Sequence, residues 1–277
     1  MLDTAPNSRR NLDIAINRIL GHDTNPLQMR TILANTIIGQ LLPSGAVKGG
    51  SALKLRYGDR ATRFTRDLDA ARRDSLDTFI DELDAALQNG WHGFTGRIVR
   101  KEPAKPIGIP GEYIMQPFEV KLSYHGRSWL TVPLEVGHDE VGDTDAPDYC
   151  ISQDIVEFFG QLGFPDPNPI ALMPIHPQIA QKLHALSDES SERAHDLIDL
   201  QLIANNETID FPLTKKVCRR LFDSRKQQHW PPIVKKKAGW DTLYASQIEG
   251  LDVFQGVEEA IRWSNELIRI IDNADDL

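Results

Sequence analysis

A chain of 277 residues, 40% hydrophobic and 26% charged, is long enough to bury a substantial core and too apolar to be a disordered or fibrous protein. Its 31 Lys and Arg stand against 40 Asp and Glu, and the resulting net charge of −9 argues, taken alone, against a general nucleic-acid binder. No apolar run reaches the length of a membrane span and the start, MLDTAPNSRRNLD, lacks the apolar stretch of a secretory leader, so no membrane partner and a cytoplasmic location are expected. Cys150 and Cys218 form no CxxC motif and are expected to be reduced thiols.

The first 42 residues carry apolar side chains at helical spacing, broken near Asn25-Pro26 and stopped by Pro43-Ser44-Gly45. From Ala46 the texture changes. Ala46-Val47-Lys48 reads as a short strand running into Gly49-Gly50-Ser51, a helical run follows from Ala52 to Tyr57, and Gly58 closes it. Phe64 to Ala70 alternates with period two, which predicts a strand. Ser75 should cap a helix ended by Asn89-Gly90. Residues 93–100 suit a strand, the proline- and glycine-rich stretch 101–112 an exposed loop, and 118–124 with 129–136 a hairpin around His125-Gly126-Arg127. Pro133 places a bulge or an edge in the second hairpin strand. Five prolines between Phe164 and Pro177 mark a boundary. Beyond it the pattern predicts helices near 177–187, 190–205, 213–227, 241–250 and 254–273. The fold class is therefore α+β, with a mixed-sheet domain and its N-terminal helices over 1–164 and an all-helical domain over 165–277.

Chemistry concentrates in Lys48-Gly49-Gly50-Ser51 and Asp67-Leu68-Asp69. Glycines and a serine at a helix start offer bare backbone N–H groups and a hydroxyl, a phosphate cradle. Alternate strand residues share a face, so Asp67 and Asp69 would present two carboxylates that repel unless a hard cation such as Mg²⁺ sits between them. A phosphate cradle beside such a pair is what nucleotidyl transfer requires. A third carboxylate is expected from a neighbouring strand: Glu135, on the polar face of 129–136, with Glu119 as its competitor. Further on, Lys182 could meet a phosphate as a mobile charge, and Asp196 and Asp199 share one helix face. Each piece also has a plainer reading: a turn, a solvated strand edge, a surface lysine.

The string KGGSALKLRYG…RFTRDLDAA, with AQKLHAL…ERAHDLIDL, resembles the AbiEii/MenT nucleotidyltransferase toxins of bacterial type IV toxin–antitoxin systems, members of the polymerase-β-like nucleotidyltransferase superfamily. The resemblance covers about residues 46–205. It implies that Gly50 and Ser51 form the nucleotide-phosphate turn, that Asp67 and Asp69 bind the metal, that Lys182 contacts the nucleotide, and that Asp196 is the acid of the distal Lys-Asp motif. His195 stands where a basic residue is usual. It further implies an NTP substrate, Mg²⁺ or Mn²⁺ as cofactor, a cognate antitoxin, and the 3′ end of tRNA as acceptor, with translation blocked as the outcome. Other readings are a protein hydroxyl as acceptor, a phosphohydrolase on His195-Asp196, and a nucleotide- or antitoxin-binding module without turnover.

Charge distribution qualifies the net figure. Residues 128–181 contain nine acids and no Lys or Arg, so that segment accounts for the whole −9. Basic residues gather instead at 54–73 and at 215–237, where Phe222, His229 and Trp230 are interleaved. Arg219, Arg220, Lys235 and Lys236 are the expected RNA contacts.

Overall fold

The computed structural model describes residues 4–20, 25–103, 115–140 and 142–276. Most of the loop expected at 101–112 lies outside them. The chain divides into two compact units: Met1–Asp59, Phe64–Asp139 and Thr144–Leu172 form the first, and Arg60–Arg63, Glu140–Asp143 and Met173–Leu277 the second.

The first unit is built on a seven-stranded mixed sheet. In chain order its strands are β1 (Gly45–Lys48), β2 (Leu68–Arg72), β3 (Phe94–Arg100), β4 (Gln116–Tyr124), β5 (Arg127–His138), β6 (Asp148–Cys150) and β7 (Ile170–Leu172). The spatial order is β3-β4-β5-β2-β1-β7-β6. Pairing is antiparallel except for β2 with β5 and β1 with β7. The helices are α1 (Arg9–Leu20), α2 (Pro26–Leu41), α3 (Gly49–Tyr57), α4 (Leu76–Asn89) and α5 (Gln153–Gln161). Asn25 caps α2, with Pro26 at its first turn, and the Ser75 hydroxyl accepts from the Thr78 amide at the start of α4. Side chains of α1, α2, α4 and α5 share one core with Val47, Leu68, Ala70, Leu134 and Val136. One sheet face is thus apolar and buried, while Thr131, Pro133 and Glu135 of β5 point the other way and are exposed.

Two strand expectations shift, and a third holds at a different residue. The alternating stretch from Phe64 does not begin a strand; β2 starts at Leu68. Its pairing begins opposite Lys48 on β1, where the chain turns into α3, and opposite Leu134 within β5, and residues 64–66 lie before it. β5 is a central strand and not an edge, but it does carry a bulge: Leu122 pairs with Leu130 and Ser123 with Ser128, which leaves Trp129 as the extra residue, four positions before Pro133. Finally, β7 lies beyond residue 164, where the sequence pattern suggests only helices. Three residues among prolines are too few for an alternation to show, yet the parallel contact with β1 makes them part of the sheet. The hairpin turn is as expected, with positive φ at both His125 (46°) and Gly126 (71°).

The second unit is helical: α6 (Ile175–Ser187), α7 (His195–Asn206), α8 (Phe211–Arg225), α9 (Trp240–Ala245) and α10 (Val257–Asp272). Leu183, Leu197, Leu200, Leu221, Trp240, Tyr244 and Ile268 are buried in it. α7 starts at His195 and not at 190, because Asp188 Oδ1 accepts from both the amide and the hydroxyl of Ser190 and holds a turn there. Among the described residues no helix is long and apolar enough to cross a membrane. Both cysteines are free thiols, and burial raises that of Cys218.

His184 on α6 is buried against Phe222. Its Nδ1 lies 3.1 Å from the Arg225 guanidinium, which forks onto Glu140 at 2.8 and 2.9 Å. An arginine can only donate, so this imidazole must accept and is neutral. Burial first, then Arg225, pushes its pKa down to about 4, and burial does the same to His195. Both imidazoles bind protons in the unfolded chain at a higher pH than in the folded one. Stability should therefore fall as pH drops from about 6.5 to 4 and depend less on these groups below that. Urea midpoints across this range would check it, and His184→Leu should flatten the slope.

Candidate active site

α3 opens on its two glycines directly from β1, with Lys48 extended at the cap position and no side-chain cap. The first four amides of a helix have no intrahelical acceptor and carry the positive end of its dipole. Ser51 is buried, and its hydroxyl donates to the main-chain oxygen of Asp67. Its role in this geometry is a latch: it fastens the helix start to the Asp67-Leu68-Asp69 segment.

That segment is ordered by the sheet. Lys48 on β1 is in register with Asp69 on β2, and Asp69 with Glu135 on β5, which aligns the three side chains on the face opposite the apolar core. Asp67 lies one residue before β2 and is exposed; Asp69 is half-buried. Glu119 is one strand further out, opposite Pro133, and pairs with Lys101 and Lys121 at 3.1 and 3.6 Å. The register therefore favours Glu135 over Glu119 as the neighbour of Asp69. Lys48, which sequence pattern alone does not single out, is 8% exposed, and its amine lies 3.2 Å from where a side chain on Gly137 would begin. Once the register is known, the signal for it is parity: a lysine on the same strand face as two expected acids.

Carboxylates in adjacent register are hard oxygen donors, the chemistry a divalent cation takes. Among the described residues no three His, Cys, Asp or Glu side chains already converge on one point. Gly49 limits how the acids can move. Its φ of +65° is left-handed, and a Cβ there would meet the Asp69 carboxylate. Gly49→Ala should accordingly cost about 1–2 kcal/mol from backbone conformation alone and displace Asp69. A fall in Tm with a larger loss of nucleotide transfer is the expected result.

The second unit holds a buried ionic cluster. The Lys182 ammonium on α6, 5% exposed, donates to Asp196 Oδ1 at 2.9 Å and Asp199 Oδ2 at 2.6 Å. Arg193 Nε reaches the other oxygen of Asp196 at 2.6 Å. Arg63, from the 60–63 segment of this unit, forks onto Asp199 at 2.8 and 2.9 Å. Burial pushes both carboxyls up, but Lys182 and Arg193 hold Asp196 well below the usual carboxylate range, and Arg63 and Lys182 bring Asp199 down to about 2. Both are anions at neutral pH. His195 Nε2 is 3.9 Å from Asp196 and, being neutral, does not supply the charge of the basic residue it replaces. Asp196 and Asp199 were expected to share a helix face, and the plainer reading of Lys182 as a surface lysine does not hold, since it is buried between them. Arg63 was not expected beside them, although it is the arginine of the R-x-T-x-D-L-D string.

Residues 31–273 match the family described as "Nucleotidyl transferase AbiEii toxin, Type IV TA system". The chain belongs to the AbiEii nucleotidyltransferase toxin family. It is therefore a nucleotidyltransferase enzyme. MenT4, a nucleotidyltransferase toxin of Mycobacterium tuberculosis H37Rv, has a similar fold: the TM-score is 0.65 at 17% identity, over 95% of this chain and 90% of that one. JHP933 from Helicobacter pylori aligns at 18% identity over 88% and 90% of the two chains, with a TM-score of 0.42. No curated protein matches.

The basic residues of this AbiEii chain are more engaged than their sequence density suggests. Lys54 pairs with Asp59 at 2.7 Å and Arg56 with Asp148 at 2.6 Å; Arg60 and Arg66 are exposed. At 215–237, Arg219 pairs with Asp276 at 2.9 Å, Arg220 with Asp143 at 3.4 Å, and Lys236 with Asp241 and Glu258 at 2.9 and 3.0 Å. Lys235 is exposed. Of the interleaved aromatics, His229 is exposed and Trp230 half-buried, whereas Phe222 is in the core. Phe222 is 1% exposed and packs on His184 and Trp230, whose indole N–H donates to Asp272 at 2.8 Å. Helical spacing turned Phe222 to the core while the charges alternated outward.

Proposed function

We propose that this AbiEii enzyme transfers a nucleotide from an NTP to the 3′-terminal hydroxyl of tRNA, releasing pyrophosphate and so blocking translation in the cytoplasm, under control of a cognate antitoxin. The observation that carries the reading is the uncapped start of α3 beside the register row Lys48, Asp69 and Glu135. Amides from Gly49 to Ala52 would receive phosphate oxygens, with Gly50 leaving the backbone open to close approach. Ser51 would keep that turn fixed against Asp67, and Lys182 would contact a nucleotide phosphate, with Asp196 as its partner. Asp67, Asp69 and Glu135 would hold Mg²⁺ or Mn²⁺, which when bound would lower the pKa of an attacking hydroxyl and neutralise phosphate charge. In the transfer the acceptor oxygen bonds to the α-phosphorus as the bond to the bridging oxygen of the β-phosphate breaks, and the hydroxyl proton passes to solvent. The protein's contribution is positioning and charge.

Surface pairs such as Arg219 with Asp276 are worth about 0–1 kcal/mol each, so a phosphate backbone could replace their carboxylates. That supports Arg219, Arg220, Lys235 and Lys236 as RNA contacts. The test is incubation with each α-labelled NTP, Mg²⁺ and total tRNA, followed by ribonuclease or protease treatment. Label lost with ribonuclease supports the proposal. Label lost only with protease would move the acceptor to a protein hydroxyl, and no label in either would leave nucleotide binding without transfer.

A further inference from the structure

The cluster around Lys182 has an arrangement of partners that bears on how a buried lysine could serve a nucleotide. Each of its two carboxylates is held by a second cation besides Lys182. Asp199 takes both arms of the Arg63 fork at 2.8 and 2.9 Å, and Asp196 takes Arg193 at 2.6 Å. Lys182 is shared between the two. Removing one partner of a buried ion pair is strongly unfavourable because it strands a charge. Here, if the ammonium swings away, neither aspartate is stranded, since each keeps an arginine. If Arg63 were absent, Lys182 would be the cation left at Asp199 and would be held there. The side chains suit these roles: an arginine fork is planar and geometrically fixed, whereas a lysine is a compact charge on a flexible stem.

We propose that Arg63, with Arg193 as its counterpart on Asp196, is a positioning residue that keeps Lys182 exchangeable, so that its ammonium can leave the carboxylates for a nucleotide phosphate. This rests on the reading that Lys182 contacts the nucleotide. Arg63 touches no substrate in this scheme; it acts through Asp199. The same logic explains why an arginine from the 60–63 segment sits in the helical unit, bonded to α7 and, at 3.4 Å, to Gln247.

The experiment is titration of the full chain with MgATP, MgCTP, MgGTP and MgUTP separately, paired with acylation of Lys182 by an N-hydroxysuccinimide ester, read by peptide mass mapping. Lys182→Met should weaken binding of the preferred nucleotide at least tenfold. Arg63→Gln should weaken it to a similar degree and slow acylation of Lys182. Arg63→Gln/Asp199→Asn, which removes both charges, should return affinity to within about threefold of the wild type and restore acylation. A purely structural role for Arg63 would change melting without this rescue or any change in amine reactivity. If Lys182→Met binds nucleotide like the wild type, the nucleotide reading of Lys182 fails and the proposal with it. If Lys182→Met weakens binding but folded Arg63→Gln does not, or the double variant gives no recovery, the proposal alone is overturned. Should Arg63→Gln not fold, Arg63→Lys serves instead. It keeps charge without the fork, so threefold weaker binding and slower acylation are expected, and wild-type values in both would overturn the proposal.

Discussion

Asp69→Asn should lower nucleotide transfer by about 10²- to 10³-fold, the range seen when a single preorganised electrostatic contact to a reacting centre is removed, while leaving the fold intact. The substitution is nearly isosteric, so the half-buried side chain still packs over Gly49 and keeps its place between Lys48 and Glu135. What it removes is the negative charge at the middle of the row. Transfer assayed with labelled NTP, alongside a thermal melt, separates the two effects. A variant that keeps more than a third of wild-type transfer would show that this carboxylate is not needed for the chemistry. Glu135→Gln should produce a smaller loss, and Glu119→Gln little change, because Glu119 is engaged by two lysines one strand away.

Asp199→Ala is expected to destabilise the second unit by about 3–5 kcal/mol, the usual cost of breaking a buried ion pair from one side. Arg63 has a side chain only 10% exposed and cannot shed its proton, and Lys182 loses the closer of its two carboxylates. The acid dependence follows from the same contacts. Asp199 titrates near 2 in the folded protein, below its ordinary value of 3.8, so its contribution is complete above that ordinary value and disappears as pH falls toward 2. The gap between wild type and variant in urea melts should be constant from pH 7 to about 5 and close progressively below 4. A gap unchanged at pH 3 would contradict the assignment.

Local pattern carried much of the fold. The helix break at Asn25-Pro26, the Ser75 cap, the His125-Gly126 turn and the helical spacings of α6, α8 and α10 are each set by a few adjacent residues, and each is legible in the sequence. The same holds for Lys48-Gly49-Gly50-Ser51 running from a strand into a helix, and for the parity that exposes Glu135 beside buried Leu134 and Val136. What failed was anything resting on a distant partner. Phe64-Thr65-Arg66 alternates like a strand but lies before the first pairing of β2, whereas Ile170–Leu172 shows no pattern and is a strand because β1 lies beside it. Phe222 and Trp230 sit in a basic run, yet their rings are packed on His184 and on each other.

The net charge shows the division most clearly. Residue identities alone established that the −9 resides in 128–181 and that cations gather in two other stretches. Whether those cations are available was decided by tertiary structure. Arg56, Arg63, Arg220 and Arg225 each close an ion pair with a carboxylate 77 to 136 positions away. A charge acts over ångströms of space and is indifferent to separation along the chain. Spacing and parity therefore specify which residues share a strand or helix face, and only the packing of those elements brings Arg63 to Asp199 or sets Lys48 in line with Asp69 and Glu135.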